Sequence, residues 1–403
     1  MKVLVINSGS SSIKYRLFDM TDKTLMARGI IERIGISGSK LTHYREGGAE
    51  YRSGVEYRSE QEISDHGAAI GLIFAALTDA GHGAVKRAGE IDIIGHRVVH
   101  GGEIFSQPVL VDNIVKENIR QLAGLAPLHN PANLLGIEAC ERLIPGIRQV
   151  AVFDTAFHHT IPRRAYMYGI PYRYYEKYGI RKYGFHGTSH RYVSRRAAEM
   201  LGRPLKELKM ISCHLGSGAS ITAVHGGCSV DTSMGFTPLE GVVMGTRSGD
   251  LDPAIVTFLM EKENLSPEEI SGILNHRSGV FGLSGISSDF RDLDKAAADG
   301  NDMARLAMEV FVYRVRKYIG AYAAQLNGLD GLIFTAGLGE NSPGIRSEIC
   351  HGLDFLGISI DPEKNAIRGR ETDISAPDSR VRILVIPTNE ELMIADETLR
   401  ALN

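Results

Sequence analysis

Two strand-turn-strand segments of one design, about half a chain apart, constrain this chain most. In the first, apolar residues 3–6 lead through Asn7-Ser8-Gly9-Ser10-Ser11-Ser12 into Ile13, Tyr15 and Leu17, apolar at every second position. In the second, residues 210–213 lead through His214-Leu215-Gly216-Ser217-Gly218-Ala219-Ser220 into Ile221, Ala223 and Val224. An apolar run, a Gly/Ser turn and a second apolar stretch, with a period of two after the first turn, predict a β-hairpin. Its recurrence predicts a duplicated domain. Further strand-like runs at residues 91–94, 150–153, 332–334 and 383–386 alternate with helical stretches, so the expected fold class is α/β. Helix starts are signalled by Asp252-Pro253, Ser266-Pro267-Glu268-Glu269 and Ser342-Pro343. Residues 303–326, with Leu306, Val310, Val315 and Ile319 spaced among Arg and Lys, predict a long, partly buried helix.

Length and composition narrow the function classes. The 403 residues suffice for two or three packed domains, and the duplication places a boundary just after Asp154. Forty-five Lys and Arg stand against 48 Asp and Glu, a formal charge of -3, so there is no polyanion-binding field and nucleic acid is not an expected partner. No apolar run approaches the ~20 residues of a membrane span, and the run at the start is too short for a signal-peptide core. A soluble cytoplasmic protein with no membrane partner is expected. Cys140, Cys213, Cys228 and Cys350 lie far apart with no Cys-x-x-Cys pair, which predicts reduced, structural thiols rather than a zinc ribbon or a disulfide framework.

The residues that carry chemistry cluster at strand ends, where open α/β sheets place their ligands. A Gly/Ser turn between strands offers backbone N–H groups and hydroxyls as a cradle for phosphate oxygens, and one such turn in each half predicts a pair of jaws on a polyphosphate. Lys14 shares a strand face with Ser12 and brings a charge to the first turn. The chain has no G-x-x-x-x-G-K-[ST] loop and no protein-kinase H-R-D or D-F-G set, so a nucleotide kinase here needs another fold. Arg97 after a buried run, Asp154 after another, and Arg247 in a Gly-rich loop read as an anion site, with a structural Arg–carboxylate pair as the alternative for either arginine alone. His186 and His190 have the i, i+4 spacing of a helical zinc site, but Gly187 and Thr188 replace the Glu that such a site requires, and zinc is not expected. At the far end, Thr388 with Glu391 three residues on predicts a capping box, which leaves Glu390 free to meet magnesium, a metal of oxygen ligands.

Six motifs together resemble the acetokinase family. They are Asn7-Ser-Gly-Ser-Ser-Ser-x-Lys14, Arg181-x-Tyr-Gly-Phe-His-Gly-Thr-Ser-His190, His214-Leu-Gly-Ser-Gly218, Met234-Gly-Phe-Thr-Pro238, Thr335-Ala-Gly-Leu-Gly-Glu-Asn341 and Pro387-Thr-Asn-Glu-Glu391. The likeness runs in one register from residue 2 to the last helix. It implies two duplicated actin-like ATPase domains closing an interdomain cleft over a nucleotide: residues 1–154 with 389–403, and residues 155–388 carrying most of the nucleotide site. It also implies the reversible reaction of ATP and acetate to ADP and acetyl phosphate with Mg2+, Mn2+ being an alternative, and a homodimer. Residue by residue, the resemblance makes Asn7 and Glu390 metal positions, and Lys14, His214, Leu215, Gly216, Ser217 and Gly218 phosphate contacts. Asp289, Phe290 and Arg291, with Gly337, Leu338, Gly339, Glu340 and Asn341, would hold the adenosine. Arg97, Asp154, His186 and Arg247 would form the catalytic group, Val99, Leu128, Phe185 and Pro238 the acetate-methyl pocket, and His129 a further site histidine. Ser217 stands where many relatives carry Asn.

Chemistry adjusts one of these roles. Aliphatic carboxylic acids have a pKa of roughly 4–5, so acetate is already ionised at neutral pH and its attack requires no proton abstraction. Asp154 is therefore expected to orient an arginine or metal-bound water rather than to act as a general base. A propionate or butyrate kinase would share nearly every phosphate-handling motif, because one methylene is worth only ~1–3 kcal/mol of discrimination. An actin-like ATP-binding regulator would keep the jaws and have no use for the Arg97, Arg247 and His186 cluster.

Overall fold

The computed structural model describes residues 1–47, 54–127 and 129–402. The chain forms two compact units, Met1–Ala156 with Asn389–Asn403, and Phe157–Thr388. In the first, β1 (Lys2–Ser8) and β2 (Ser12–Asp19) form the predicted hairpin, extended by β3 (Thr24–Glu32), β4 (Lys40–Arg45) and β5 (Val55–Glu60). On the other side of β1 lie β6 (Ile93–Val98), β8 (Arg148–Phe153) and β7 (Val109–Leu110), giving the order β5-β4-β3-β2-β1-β6-β8-β7. β1, β6 and β8 are parallel. Alternate residues of β1 enter two different cores, as expected of a strand buried on both faces. Leu4 and Ile6 pack with Ile70, Ile73 and Leu77 of the helix His66–Thr78, while Val3 and Val5 pack with Ile394 and Ala395 of the C-terminal helix Glu390–Arg400.

The second unit repeats the plan. β9 (Lys209–Leu215) and β10 (Ala219–His225) are the second predicted hairpin, with β11 (Cys228–Thr232) antiparallel beyond β10. β12 (Gly331–Thr335) and β14 (Arg382–Val385) run parallel to β9, with β13 (Thr372–Asp373) at the edge. Both sheets therefore contain a five-strand core in which strands one to three are antiparallel neighbours and strands one, four and five are parallel. That shared order is the duplication the two hairpins announced.

Two expectations shift. β6 starts two residues later than the apolar run at residues 91–94 and continues through His96 and Arg97, so Arg97 is a strand residue paired in register with Val152, not a residue beyond the strand end. The long helix is present as Asp302–Leu326, but its buried stripe is Ala304, Ala307, Phe311, Val315 and Ile319, and Leu306 is 42% exposed. All four cysteines are free. Cys140, Cys213 and Cys350 are buried and Cys228 is exposed. Among the described residues, no helix is long and apolar enough to cross a membrane.

Candidate active site

The first unit assembles a cluster of charge around Arg97. Gly95 in β6 has no side chain, and a Cβ there would lie 2.3 Å from Thr398 Oγ1, so glycine is what lets the C-terminal helix press onto the strand. That contact delivers Glu390, the first residue of the helix, to Arg97. Arg97 Nη2 donates to Asp154 Oδ2 at 3.0 Å, and Glu390 Oε2 stands 4.0 Å from Arg97 Nε. Nε itself is buried without a hydrogen-bond partner among the described residues. Burial opposes the charge on Arg97, but Asp154 and Glu390 outweigh it and hold the guanidinium ionised. The Glu390 carboxyl is pushed up to about 7 by burial, with Arg97 opposing and Asp154 and Glu391 adding repulsion. A carboxylate crowded by two others is relieved by a cation, so the donor set suits an oxygen-loving dication. Asn7, the other expected metal position, lies half-buried on β1 opposite Lys14 of β2, which is exposed. Among the described residues, no group of three His, Cys, Asp or Glu is placed to hold a metal by itself.

The cap of the C-terminal helix corrects the sequence reading. Asn389, not Thr388, is the N-cap: its Oδ1 accepts from Leu392 N at 3.2 Å and from Arg16 Nη1 at 3.1 Å. Thr388 is engaged elsewhere, its N–H on Glu340 Oε1 and its hydroxyl on Ser189 Oγ. Glu391 consequently makes no capping box and instead pairs with Arg16 at 3.5 Å. Glu390 remains the carboxylate left for a ligand.

Chain exit from β6 is held by two asparagines that sequence reasoning missed. Asn133 Oδ1 accepts from Val99 N and its Nδ2 donates to Ser8 O, while Asn130 makes a two-way pair with the backbone of His100. Both are buried in the helix Asn130–Leu143, whose N-cap is His129. They clamp the ends of β1 and β6 and so place Val99. The only signal was two Asn three residues apart at a Pro-led helix start. Leu128 lies outside the described residues.

The second unit builds a cradle around the turn after β9. Gly216 N donates to Gly218 O at 3.1 Å, closing the turn. A Cβ on Gly218 would lie 3.3 Å from Arg247 Nη1 and 3.4 Å from His186 Cε1, so a guanidinium, an imidazole and the turn converge on one spot. Arg247 donates to Pro238 O and has no carboxylate partner among the described residues; burial lowers its pKa. The alternative of a structural ion pair thus falls to Arg97 and not to Arg247. His186, with φ 56° at the start of the helix Gly187–Leu201, stacks on His214 at 4.1 Å. His214 Nδ1 meets Ser189 Oγ, which also meets Thr388 Oγ1. Phe185 is buried and its carbonyl accepts from His158. Leu215 is wholly buried and Ser217 is exposed.

The expected adenosine segments lie in this unit as well. Gly245 N donates to Ser217 O, and a Cβ on Gly245 would touch Ser288, so the strip leading to Asp289 packs beside the turn. Asp289 caps the helix Phe290–Ala298 and is forked by the exposed Arg291, which brings its pKa down to about 2; Phe290 packs edge-on to Phe311. Gly337, Leu338, Gly339, Glu340 and Asn341 form most of the helix Ala336–Asn341. Glu340 Oε1 accepts from Ala336 N, Thr388 N and Thr335 Oγ1, tying together the ends of β12 and β14. The fully buried Arg346 holds the carbonyls of Gly339 and Glu340 from below.

Comparison with known proteins decides the family. A model described as the acetokinase family matches residues 2–396. The chain belongs to the acetokinase family. It is 60% identical over 402 residues to the acetate kinase of Thermotoga maritima, covering 99% of this chain and 98% of that protein. It is 58% identical to the acetate kinase of Natranaerobius thermophilus, with 98% of each covered. Among solved structures, Porphyromonas gingivalis acetate kinase superposes with a TM-score of 0.94 at 47% identity over all of both chains. A propionate kinase from Francisella tularensis gives 0.90 at 43% identity over 99% of each.

Proposed function

We propose that this member of the acetokinase family is a phosphotransferase that moves the γ-phosphoryl group of ATP to acetate, reversibly, giving ADP and acetyl phosphate. One observation carries the reading: Arg247, a half-buried cation without a carboxylate partner among the described residues, stands with His186 at the Gly218 turn. Phosphoryl transfer passes through a loose transition state with charge spread over the equatorial oxygens, so positioned donors are what it demands. Arg247 and His186 supply them from one unit. Arg97, whose Nε is buried without a hydrogen-bond partner among the described residues, is the donor that the first unit holds beside Asp154. Asp154 is itself bonded to Arg97 and orients it; acetate arrives ionised and needs no base. Lys14 and the His214 to Gly218 turn take the phosphates, the segments at Asp289 to Arg291 and Gly337 to Asn341 take the adenosine, and Glu340 acts there by positioning.

Magnesium suits Asn7 and Glu390, manganese being chemically similar, and when bound it neutralises phosphate charge. Displacement is in line and direct, since no nucleophilic side chain is needed to carry the phosphoryl group. Val99, His129, Phe185 and Pro238 are the residues assigned to acetate, and a propionate-kinase relative at 43% identity makes acyl-chain length the sharper question. Four free thiols suit a reducing, cytoplasmic setting, and a two-fold dimer belongs to the same reading. The test is hydroxamate trapping of the acyl phosphate with acetate, propionate and butyrate in parallel. Acetate should give the highest kcat/KM; ADP formation that ignores all three acids would leave an ATP-binding module, and a preference for propionate would reassign the substrate.

A further inference from the structure

His186 is the end of a chain of hydrogen bonds that runs away from the phosphate turn into the sheet. His186 Nδ1 lies 2.9 Å from Ser220 Oγ, Ser220 Oγ lies 2.7 Å from His190 Nε2, and His190 Nδ1 lies 2.9 Å from Ser212 Oγ. Ser212, His190 and Ser220 are completely buried. A neutral imidazole carries one N–H and a hydroxyl one O–H, so a chain that passes one proton across every contact in one sense has two directions, and any other arrangement leaves Ser220 O–H unused or a contact without a proton. In one, Ser212 donates to His190 Nδ1, His190 Nε2 donates to Ser220, and Ser220 donates to His186 Nδ1, leaving the His186 proton on Nε2. In the reverse, His186 Nδ1 donates to Ser220, Ser220 to His190, and His190 to Ser212, whose own O–H is then left without an acceptor among the described residues. A buried donor without an acceptor is the costlier arrangement. An imidazolium, which must donate from Nδ1, likewise leaves one buried hydroxyl, Ser220 or Ser212, without an acceptor among the described residues. The direction has a consequence at the turn, because a Cβ on Gly218 would lie 3.5 Å from His186 Nε2.

We infer that Ser212, His190 and Ser220 are positioning residues that hold His186 neutral with its proton on Nε2, so that it offers a donor and not a lone pair to the transferring phosphate. The inference rests on the reading of His186 as a phosphate donor. Full-length enzyme labelled with nitrogen-15 histidine reports the tautomer directly, the His186 signals being those lost in His186→Ala. At neutral pH the expected spectrum has a protonated Nε2 and a bare Nδ1; a protonated Nδ1, alone or in an imidazolium, overturns the inference with no variant needed. Ser212→Ala, which touches neither His186 nor the turn, removes the reason for the direction and should add a second His186 species protonated at Nδ1. Ser220→Ala should lower kcat about tenfold or more through misplacement of the ring, with KM for ATP within about twofold. His186→Ala at parental kcat would sink the reading of His186 itself. His186→Ala down ~10²–10³-fold beside Ser220→Ala at parental kcat and a Ser212→Ala spectrum like the parent would sink only the chain.

Discussion

Gly218→Ala tests the cradle with the smallest available perturbation. Gly218 is not among the glycines with a left-handed backbone, so alanine meets no conformational strain there. Its methyl would lie 3.3 Å from Arg247 Nη1, 3.4 Å from His186 Cε1 and 3.5 Å from His186 Nε2. Ordinary carbon contacts begin near ~3.5 Å, so the side-chain ends must move by only a few tenths of an ångström. Both are tips of side chains in a half-open turn, so the stability cost should fall below the ~1–3 kcal/mol of overpacking a closed core. The catalytic cost should be far larger, because the methyl occupies the point on which both donors converge. Removing one such donor costs ~10²–10³-fold in kcat; displacing two without removing either should cost about 10²-fold. The assay is initial rate against ATP and against acetate, beside a melting curve. A variant with parental kcat and parental melting point would show that phosphate does not sit at Gly218, and the assignment of Arg247 and His186 would have to be abandoned.

Gly95→Ala should act in the opposite sense: a Cβ 2.3 Å from Thr398 Oγ1 and 3.1 Å from Ile394 lifts the C-terminal helix, lowering stability by ~1–3 kcal/mol in denaturant titration, with partial recovery in Gly95→Ala/Thr398→Ala. Asn389→Ala should cost ~0.5–2 kcal/mol as a lost cap, whereas Thr388→Ala should not behave as a cap mutant in the same melting assay. Glu390→Gln should raise the magnesium concentration needed for half-maximal rate with little thermal shift, and Glu391→Gln should lose only a part-exposed pair with Arg16, ~0–1 kcal/mol. His43 and His96 are buried and neutral, burial bringing each pKa down to about 4. Unfolded histidine titrates near ~6.5, so the unfolded chain binds more protons between those values; stability should be fully present above pH ~6.5 and fall towards pH ~4, and a urea midpoint independent of pH across that window would contradict it.

Local spacing along the chain was enough for much of this molecule. Two apolar runs about a Gly/Ser turn mark both hairpins, because side chains of a strand alternate faces and glycine turns the backbone at little cost. Both hairpins follow from local sequence, as do the Ser-Pro helix starts at Ser266 and Ser342, whereas at Asp252-Pro253 the helix begins one residue late, at Ala254. The residue types of the Gly216-Ser217-Gly218 turn, Arg247 and Glu390 were legible because their chemistry is visible without partners. Partners were not. Thr388-Asn-Glu-Glu391 contains two adjacent residues able to cap a helix, and the choice fell to Asn389 because Arg16 meets it while Glu340 and Ser189 take Thr388. Asn130, Asn133, Arg346 and the chain from Ser212 to His186 read as ordinary polar residues until burial removes water and each donor must find a distant acceptor. Those pairings join residues from six to 125 positions apart, and only the packed sheets determine which of them meet.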